Sequence, residues 1–114
     1  MHEASLVEYT LKAVERAARK RNMHRVTEID LIIGKLKVAV PEILQTSFRL
    51  MIDGTMFEGC RLNIHERNVV IRCKDCGRIT EVDDLHTDTA PCCGSRNVEI
   101  VQGNELLIQS FRGQ

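Results

Sequence analysis

Tryptophan is absent from this 114-residue chain, tyrosine occurs once and phenylalanine three times, so there is little with which to stack nucleic-acid bases. An excess of charge is also missing: sixteen lysines and arginines balance sixteen aspartates and glutamates. A formal charge of zero offers no electrostatic footprint for a polyanion or an anionic membrane. No apolar run reaches the length of a membrane span, and the first residues lack the basic-then-apolar layout of a secretory signal. Internal repeats and low-complexity tracts are absent too. These absences predict a cytosolic protein that spans no membrane and binds no nucleic acid.

What the chain does have is cysteine. There are five, an odd number, and four of them fall in two clusters within "CKDCGRITEVDDLHTDTAPCCGS", residues 73 to 95. Clustered pairs in a reducing compartment read as metal ligands before they read as disulfides, and zinc is the expected ion.

Around that segment the apolar pattern predicts an α+β protein. Ala4, Val7, Leu11, Val14 and Ala18 recur at spacings of three and four, one face of a helix. Glu8 with Lys12 and Glu15 with Arg19 stand at the favourable i, i+4 spacing on its wet side. "VTEIDLIIG" alternates as a half-buried strand, with Ile29, Leu31 and Ile33 on one face and Glu28 and Asp30 on the other. Pro41 and Glu42 suit a first helical turn, and Leu44, Phe48 and Met51 carry a second helix to "DG" at 53 and 54. "CRLNIHE" and "NELLIQSF" supply two more strands, and "NVVIRC" and "NVEIVQGN" border the cysteine segment as short strand-like runs. The acidic "TEVDDL" reads as a solvated loop. The expected architecture is two helices on one face of a three-stranded sheet, with an inserted zinc-ribbon-like module. Residues 1–68 with 103–114 would form one domain and residues 69–102 the other.

Cys73, Cys76 and Gly77 form the tight turn of a zinc knuckle, whose sulfurs converge while its amides point at them. Cys93-Gly94-Ser95 ends a second such turn, but three residues before Cys93 stands Ala90, and Cys92 sits directly beside Cys93. Three donors compete for the fourth position: Cys92 by a local distortion, His86 from the connecting loop, or water at an open catalytic-type site. Cys92 is the favoured choice. No HExxH or HxE arrangement accompanies the cysteines, which favours structural zinc over a hydrolase. Cys60 falls on an apolar strand face and reads as core; His24 and His65 read as surface residues.

At the other end, His2 and Glu3 follow Met1. A bulky second residue disfavours removal of the methionine, so the amine, the His2 and Glu3 amides and the His2 imidazole can share one planar four-nitrogen chelate, an arrangement suited to Ni(II) or Cu(II). Glu3 would orient the imidazole or lend an oxygen. On composition alone a histidine at position 2 is an ordinary solvated residue.

"MHE", the helix after it, "VTEIDLIIGKL", "VPEILQTSF", "GTMFEGCRLNI", the segment ending "CGS" and "QGNELLIQS" together resemble the HypA/HybF family of nickel metallochaperones for hydrogenase maturation. The similarity runs in order from Met1 to about Ser110. It implies an α+β nickel-binding domain joined to a zinc ribbon, Ni(II) ligation by His2 with Glu3 also important, and a Zn(II) site matched here by Cys73, Cys76 and Cys93. Ala90 departs from the family's CPxCG pattern, which leaves the fourth zinc ligand open among Cys92, His86 and water. The implied activity is delivery of nickel, without catalysis, to the [NiFe] hydrogenase large subunit and in some organisms to urease. A nickel-insertion GTPase is the implied helper, and a second copy of the chain is a further candidate partner. The competing reading is a zinc-ribbon nucleic-acid adaptor, which lacks a basic face here beyond Arg72, Lys74 and Arg78.

Overall fold

A computed structural model describes residues 2–83 and 87–114. The described chain runs α1 (Glu3–Lys20), β1 (Val26–Gly34), a 3-10 turn (Lys35–Lys37), α2 (Pro41–Ile52), β2 (Arg61–Arg67), β3 (Val69–Cys73), β4 (Ile79–Val82), β5 (Val98–Gln102) and β6 (Leu106–Gly113). Two three-stranded sheets result among the described residues, ordered β2-β1-β6 and β4-β3-β5. The chain divides into two compact units. One comprises the stretch ending at Ile32 together with Ala39–His65 and Leu107–Gln114; the other comprises Ile33–Val38 and Glu66–Leu106.

In the first unit α1 carries Glu3 in its first turn and Arg19 and Lys20 in its last, charges that complement the helix dipole at both ends. Its buried stripe is Leu6, Val7, Thr10, Val14 and Ala18, rotated from the expected one. Ala4 is exposed and Leu11 half-buried. Thr10 hid this stripe because it looks polar, yet its hydroxyl donates to the Leu6 carbonyl at 2.9 Å and so enters the core without an unmet hydrogen bond. The exposed pairs Glu8–Lys12 and Glu15–Arg19 form at 2.8 and 2.9 Å, where solvent screening leaves each adding little.

Pro41 opens α2, where its missing N–H costs nothing, and Leu44, Phe48 and Ile52 are buried at four-residue spacing. Met51 is only half-buried. Together with Val26, Ile29, Leu31 and Leu62 these residues form the apolar core of the unit.

Strand order follows from the hydrogen bonds. Arg25 and Gln114 exchange main-chain bonds of 2.9 Å each, and Gly34 N–H donates to the Glu105 carbonyl at 2.8 Å, so β6 runs antiparallel to β1. Contacts to β2 climb in step instead: Arg61 meets Glu28, Asn63 meets both Glu28 and Asp30, and His65 meets Asp30. That sequence is what parallel strands joined by a helix produce. Glu28 and Asp30 alternate with Ile29 and Leu31, so this sheet has one apolar and one polar face. On the polar face the Asn63 amide donates to both carboxylates at 2.8 and 2.9 Å, Arg112 Nε donates to Glu28 at 2.8 Å, and the Ser110 hydroxyl donates to Asp30 at 2.8 Å.

The second unit is built on β3, flanked antiparallel by β4 and β5. β4 corrects the reading of "TEVDDL" as a loop: Thr80, Glu81 and Val82 are paired strand residues. No alternation announced it, because an edge strand with neither face fully buried gains nothing from apolar residues. Val69 and Ile71 are the buried aliphatic residues on β3. The 3-10 turn also belongs to this unit. Leu36 N–H donates to the Gly103 carbonyl at 2.8 Å, and the backbones pass so closely that a Cβ on Gly34 would lie 2.1 Å from Gly103.

Candidate metal centre

β3 ends on Cys73, and the turn that follows closes in two hydrogen bonds: Cys73 N–H to the Arg78 carbonyl at 2.9 Å, and Gly77 N–H to the Cys73 carbonyl at 2.7 Å. Gly77 adopts φ +77, a left-handed conformation that glycine enters without steric cost. The second turn repeats the first. Ala90 N–H donates to the Ser95 carbonyl and Gly94 N–H to the Ala90 carbonyl, both at 2.8 Å, and Gly94 has φ +72. Position by position, Ala90 therefore stands where Cys73 stands, Cys93 where Cys76 does, and Cys92 where Asp75 does. Cys73 and Ala90 are both 1% exposed. Asp75 braces the two turns, accepting from the Ser95 hydroxyl and from the Asn97 amide at 3.2 Å.

The four sulfurs of Cys73, Cys76, Cys92 and Cys93 all lie within 4.8 Å of one another, with Cys73–Cys93 at 3.6 Å, Cys76–Cys92 at 3.1 Å and Cys92–Cys93 at 3.7 Å. Sulfurs at about 2.3 Å from a tetrahedral zinc would be roughly 3.8 Å apart. The donor set thus fits zinc in chemistry and in scale. His86, a competing fourth donor, lies outside the described residues, as does Asp84.

Electrostatics point the same way. Amides of Cys76 and Asp75, with the thiols of Cys76 and Cys93, pull the Cys73 thiol down to about 7. Hydrogen bonding to Cys76, then burial and the other sulfurs, push Cys92 up to about 12. At Cys93 the Ser95 amide pulls down, but the neighbouring Cys73 and burial push up, and the upward effects prevail. Sulfurs this close cannot all ionise in the absence of a cation; a divalent ion would remove that repulsion. Cys60 is apart from this cluster in character: 8% exposed and with its thiol raised to about 11, first by burial and then by Glu28, it is an inert core residue.

His2 is exposed and stands in extended conformation just before α1, with its carbonyl accepting the Leu6 N–H at 3.1 Å. The Glu3 carboxylate accepts the Val40 N–H at 3.1 Å. Val40 is the residue that caps α2, so Glu3 ties the start of α1 to the start of α2. Its own amide first, then that of Val40, holds its carboxyl below the usual range. Met1, whose amine would complete the expected chelate, lies outside the described residues. His24 and His65 are exposed, and His65 Nε2 is 3.6 Å from Asp30.

Sequence reasoning missed the Asp75–Ser95–Asn97 brace. The signal available was the third position of the knuckle, which faces the second turn once the two turns are seen to be equivalent.

No helix among the described residues is long and apolar enough to cross a membrane. The sequence matches a family described as hydrogenase/urease nickel incorporation metallochaperone HypA over residues 1–113. It is 35% identical over its full length to the full length of the hydrogenase maturation factor HypA of Moorella thermoacetica. It is 29% identical to HybF of Escherichia coli K12, over 97% of each chain. The fold is similar to the solution structure of the nickel metallochaperone HypA from Helicobacter pylori, with a TM-score of 0.72 and 26% identity over 99% of this chain and 97% of that one. These relatives do not favour the nucleic-acid adaptor. With its helix pair, its two sheets and its cysteine centre, this chain belongs to the HypA family of nickel-incorporation metallochaperones.

Proposed function

We propose that the protein binds Ni(II) at its first residues and delivers it to a hydrogenase during maturation, while a separate Zn(II) held by Cys73, Cys76, Cys92 and Cys93 maintains the second unit. The observation that carries this reading is the separation of donor types within a family of nickel metallochaperones: four clustered sulfurs, and an exposed imidazole beside main-chain nitrogens at the other end of the chain. Thiolates in a closed tetrahedron suit zinc that stays, whereas imidazole and deprotonated amides suit Ni(II) in a plane.

His2 offers the imidazole and its own amide nitrogen, and Glu3 a second amide. Glu3 also fixes the direction in which these donors leave the fold, because its carboxylate is anchored on Val40. An exposed end is suited to handing over an ion, since a partner's ligands can displace its donors one at a time. Zinc, when bound, supplies cross-linking of two turns whose own apolar burial is slight. Asp75, Ser95 and Asn97 hold those turns in register, and the amides of Asp75 and Cys76 stabilise charge on Cys73.

The partners implied are the hydrogenase large subunit and a nickel-insertion GTPase; the family description extends to urease. Binding and handover, without bond-making catalysis, is the chemistry, and the cytosol is where such acceptors are assembled.

Planar ligation displaces protons from the nitrogen donors, so nickel affinity should fall as pH drops. Titration calorimetry with NiCl2 on the zinc-loaded protein tests this. His2→Ala should abolish the tightest nickel site while leaving zinc content unchanged. Nickel binding unaltered in His2→Ala would refute the site.

A further inference from the structure

Strand β6 forms one edge of the β2-β1-β6 sheet. An edge strand presents a row of unpaired N–H and C=O groups, which proteins commonly blunt with proline, with outward charge or with a covering element. β6 carries none of these. From Leu106 to Gly113 it contains no proline and one charged residue, Arg112, whose guanidinium is drawn across the sheet to Glu28 at 2.8 Å. β2, at the other edge, has one of its carbonyls taken by α2: the Gln45 side chain donates to Leu62 at 2.6 Å. Among the described residues the one side-chain bond to the β6 main chain comes from Thr27, on its β1 side, at 3.2 Å.

Beside the open edge lies a cleft of about 440 Å³ between α1 and β6. Residues 108–111 of β6 all line it, and side chains on a strand alternate between faces, so a consecutive run places the cleft along the edge itself. On the helix side Ala13 and Ala17 stand one turn apart, and their short side chains leave room that longer ones would fill. Ile108 and Phe111 add half-buried apolar surface.

The C-terminal end of α1 makes the cleft positive there. Arg21 lines it, with its guanidinium 5.4 Å from the centre of the Phe111 ring. A guanidinium stacked on an aromatic face keeps its N–H groups in its own plane, free to grip a carboxylate. Arg16 and Lys20 follow Ala13 and Ala17 by three residues and are exposed. Among the described residues no carboxylate pairs with Arg16, Lys20 or Arg21, whereas Lys12, Arg19 and Arg112 each have one.

We propose that this cleft docks an extended segment of a partner protein, added to β6 as a further strand, with apolar side chains over Ala13 and Ala17 and an acidic residue on Arg21. Main-chain bonds to the edge supply affinity, and the helix side supplies selectivity. A second copy of the chain fits less well. Its β6 has no aspartate or glutamate between Leu106 and Gly113, so pairing two such edges sets nothing negative against Arg21. The cleft shares no residue with either metal site.

Panning a phage library of random peptides on the zinc-loaded protein tests this, with Ala17→Phe, which fills the cleft, as counter-selection. The expected yield is a set of sequences that alternate apolar residues and carry aspartate or glutamate. A selected peptide is then titrated by fluorescence anisotropy, where Arg21→Glu should weaken binding at least about tenfold. In the complex, hydrogen exchange of β6 amides should slow while that of β2 amides stays unchanged. Failure of any sequence to enrich on wild type over Ala17→Phe would remove the site. Peptides that bind without slowing exchange in β6 would overturn strand addition, and equal affinity for Arg21→Glu would overturn the acidic specificity. A dimer of the free protein in sedimentation, lost in Ala17→Phe, would give the cleft to a second copy and end the proposal. Should Ala17→Phe fail to fold by circular dichroism, Arg21→Glu, at an exposed position beyond the last turn of α1, replaces it as counter-selection.

Discussion

Removing zinc should unfold the β4-β3-β5 unit while sparing the helical unit, and the magnitudes say why. The aliphatic side chains buried on the central strand are Val69 and Ile71, at 0% and 1% exposure. With Ile33, 3% exposed and in the same unit, full burial of such side chains contributes about 1.5–3 kcal/mol each, so together about 4.5–9 kcal/mol. Structural zinc contributes on the order of 10 kcal/mol, so the metal outweighs the apolar contacts. Treating the protein with an excess of a zinc chelator at neutral pH therefore takes away most of what opposes the chain entropy of this segment. Amide hydrogen exchange by mass spectrometry reads the result. Peptides covering Val69–Cys73 and Val98–Gln102 should lose protection by at least about a thousandfold, the equivalent of only about 4 kcal/mol, whereas α1 and α2 peptides, wholly within the first unit, should keep theirs and serve as the internal reference. Unchanged protection in β3 and β5 after verified zinc loss would refute the reasoning, because the apolar contacts would then suffice.

In the first unit, Phe48→Ala empties one of the largest fully buried positions and should cost about 3–5 kcal/mol in urea unfolding; a loss below about 1 kcal/mol would mean that the site collapses or was never packed. The polar sheet face gives a pH dependence. Asn63 and then Arg112 hold the Glu28 carboxyl below its usual value, and Asn63 and Ser110 do the same for Asp30. Both groups bind protons more weakly in the folded than in the unfolded chain, so their contribution is complete above the ordinary carboxylate range and is lost as pH falls through their folded values. Thermal unfolding between neutral pH and about pH 2 should show this decline, less steeply in Glu28→Gln; identical slopes would remove the network from the account.

The crossover from β1 through α2 to β2 was legible because three signals agreed there: alternation around Ile29 and Leu31, a proline at the start of the helix, and four-residue spacing of Leu44 and Phe48. α1 was legible as a helix but not in its orientation, since Thr10 buries its hydroxyl on a carbonyl of its own helix and no hydrophobicity pattern reveals that. β4 was illegible because both its faces retain solvent. At the cysteine centre the residue types and the anomaly at Ala90 were visible in the spacing. The equivalence of Cys92 with Asp75 was not, because it exists only in the main-chain bonds of the two turns.

The central claim is that sulfur holds one metal and nitrogen the other. X-ray absorption at both edges of protein loaded with zinc and nickel tests it in one preparation. The account predicts four sulfur scatterers at zinc, and nitrogen or oxygen scatterers with no sulfur at nickel. Nickel surrounded by sulfur, with its spectrum unaffected by His2→Ala, would contradict it.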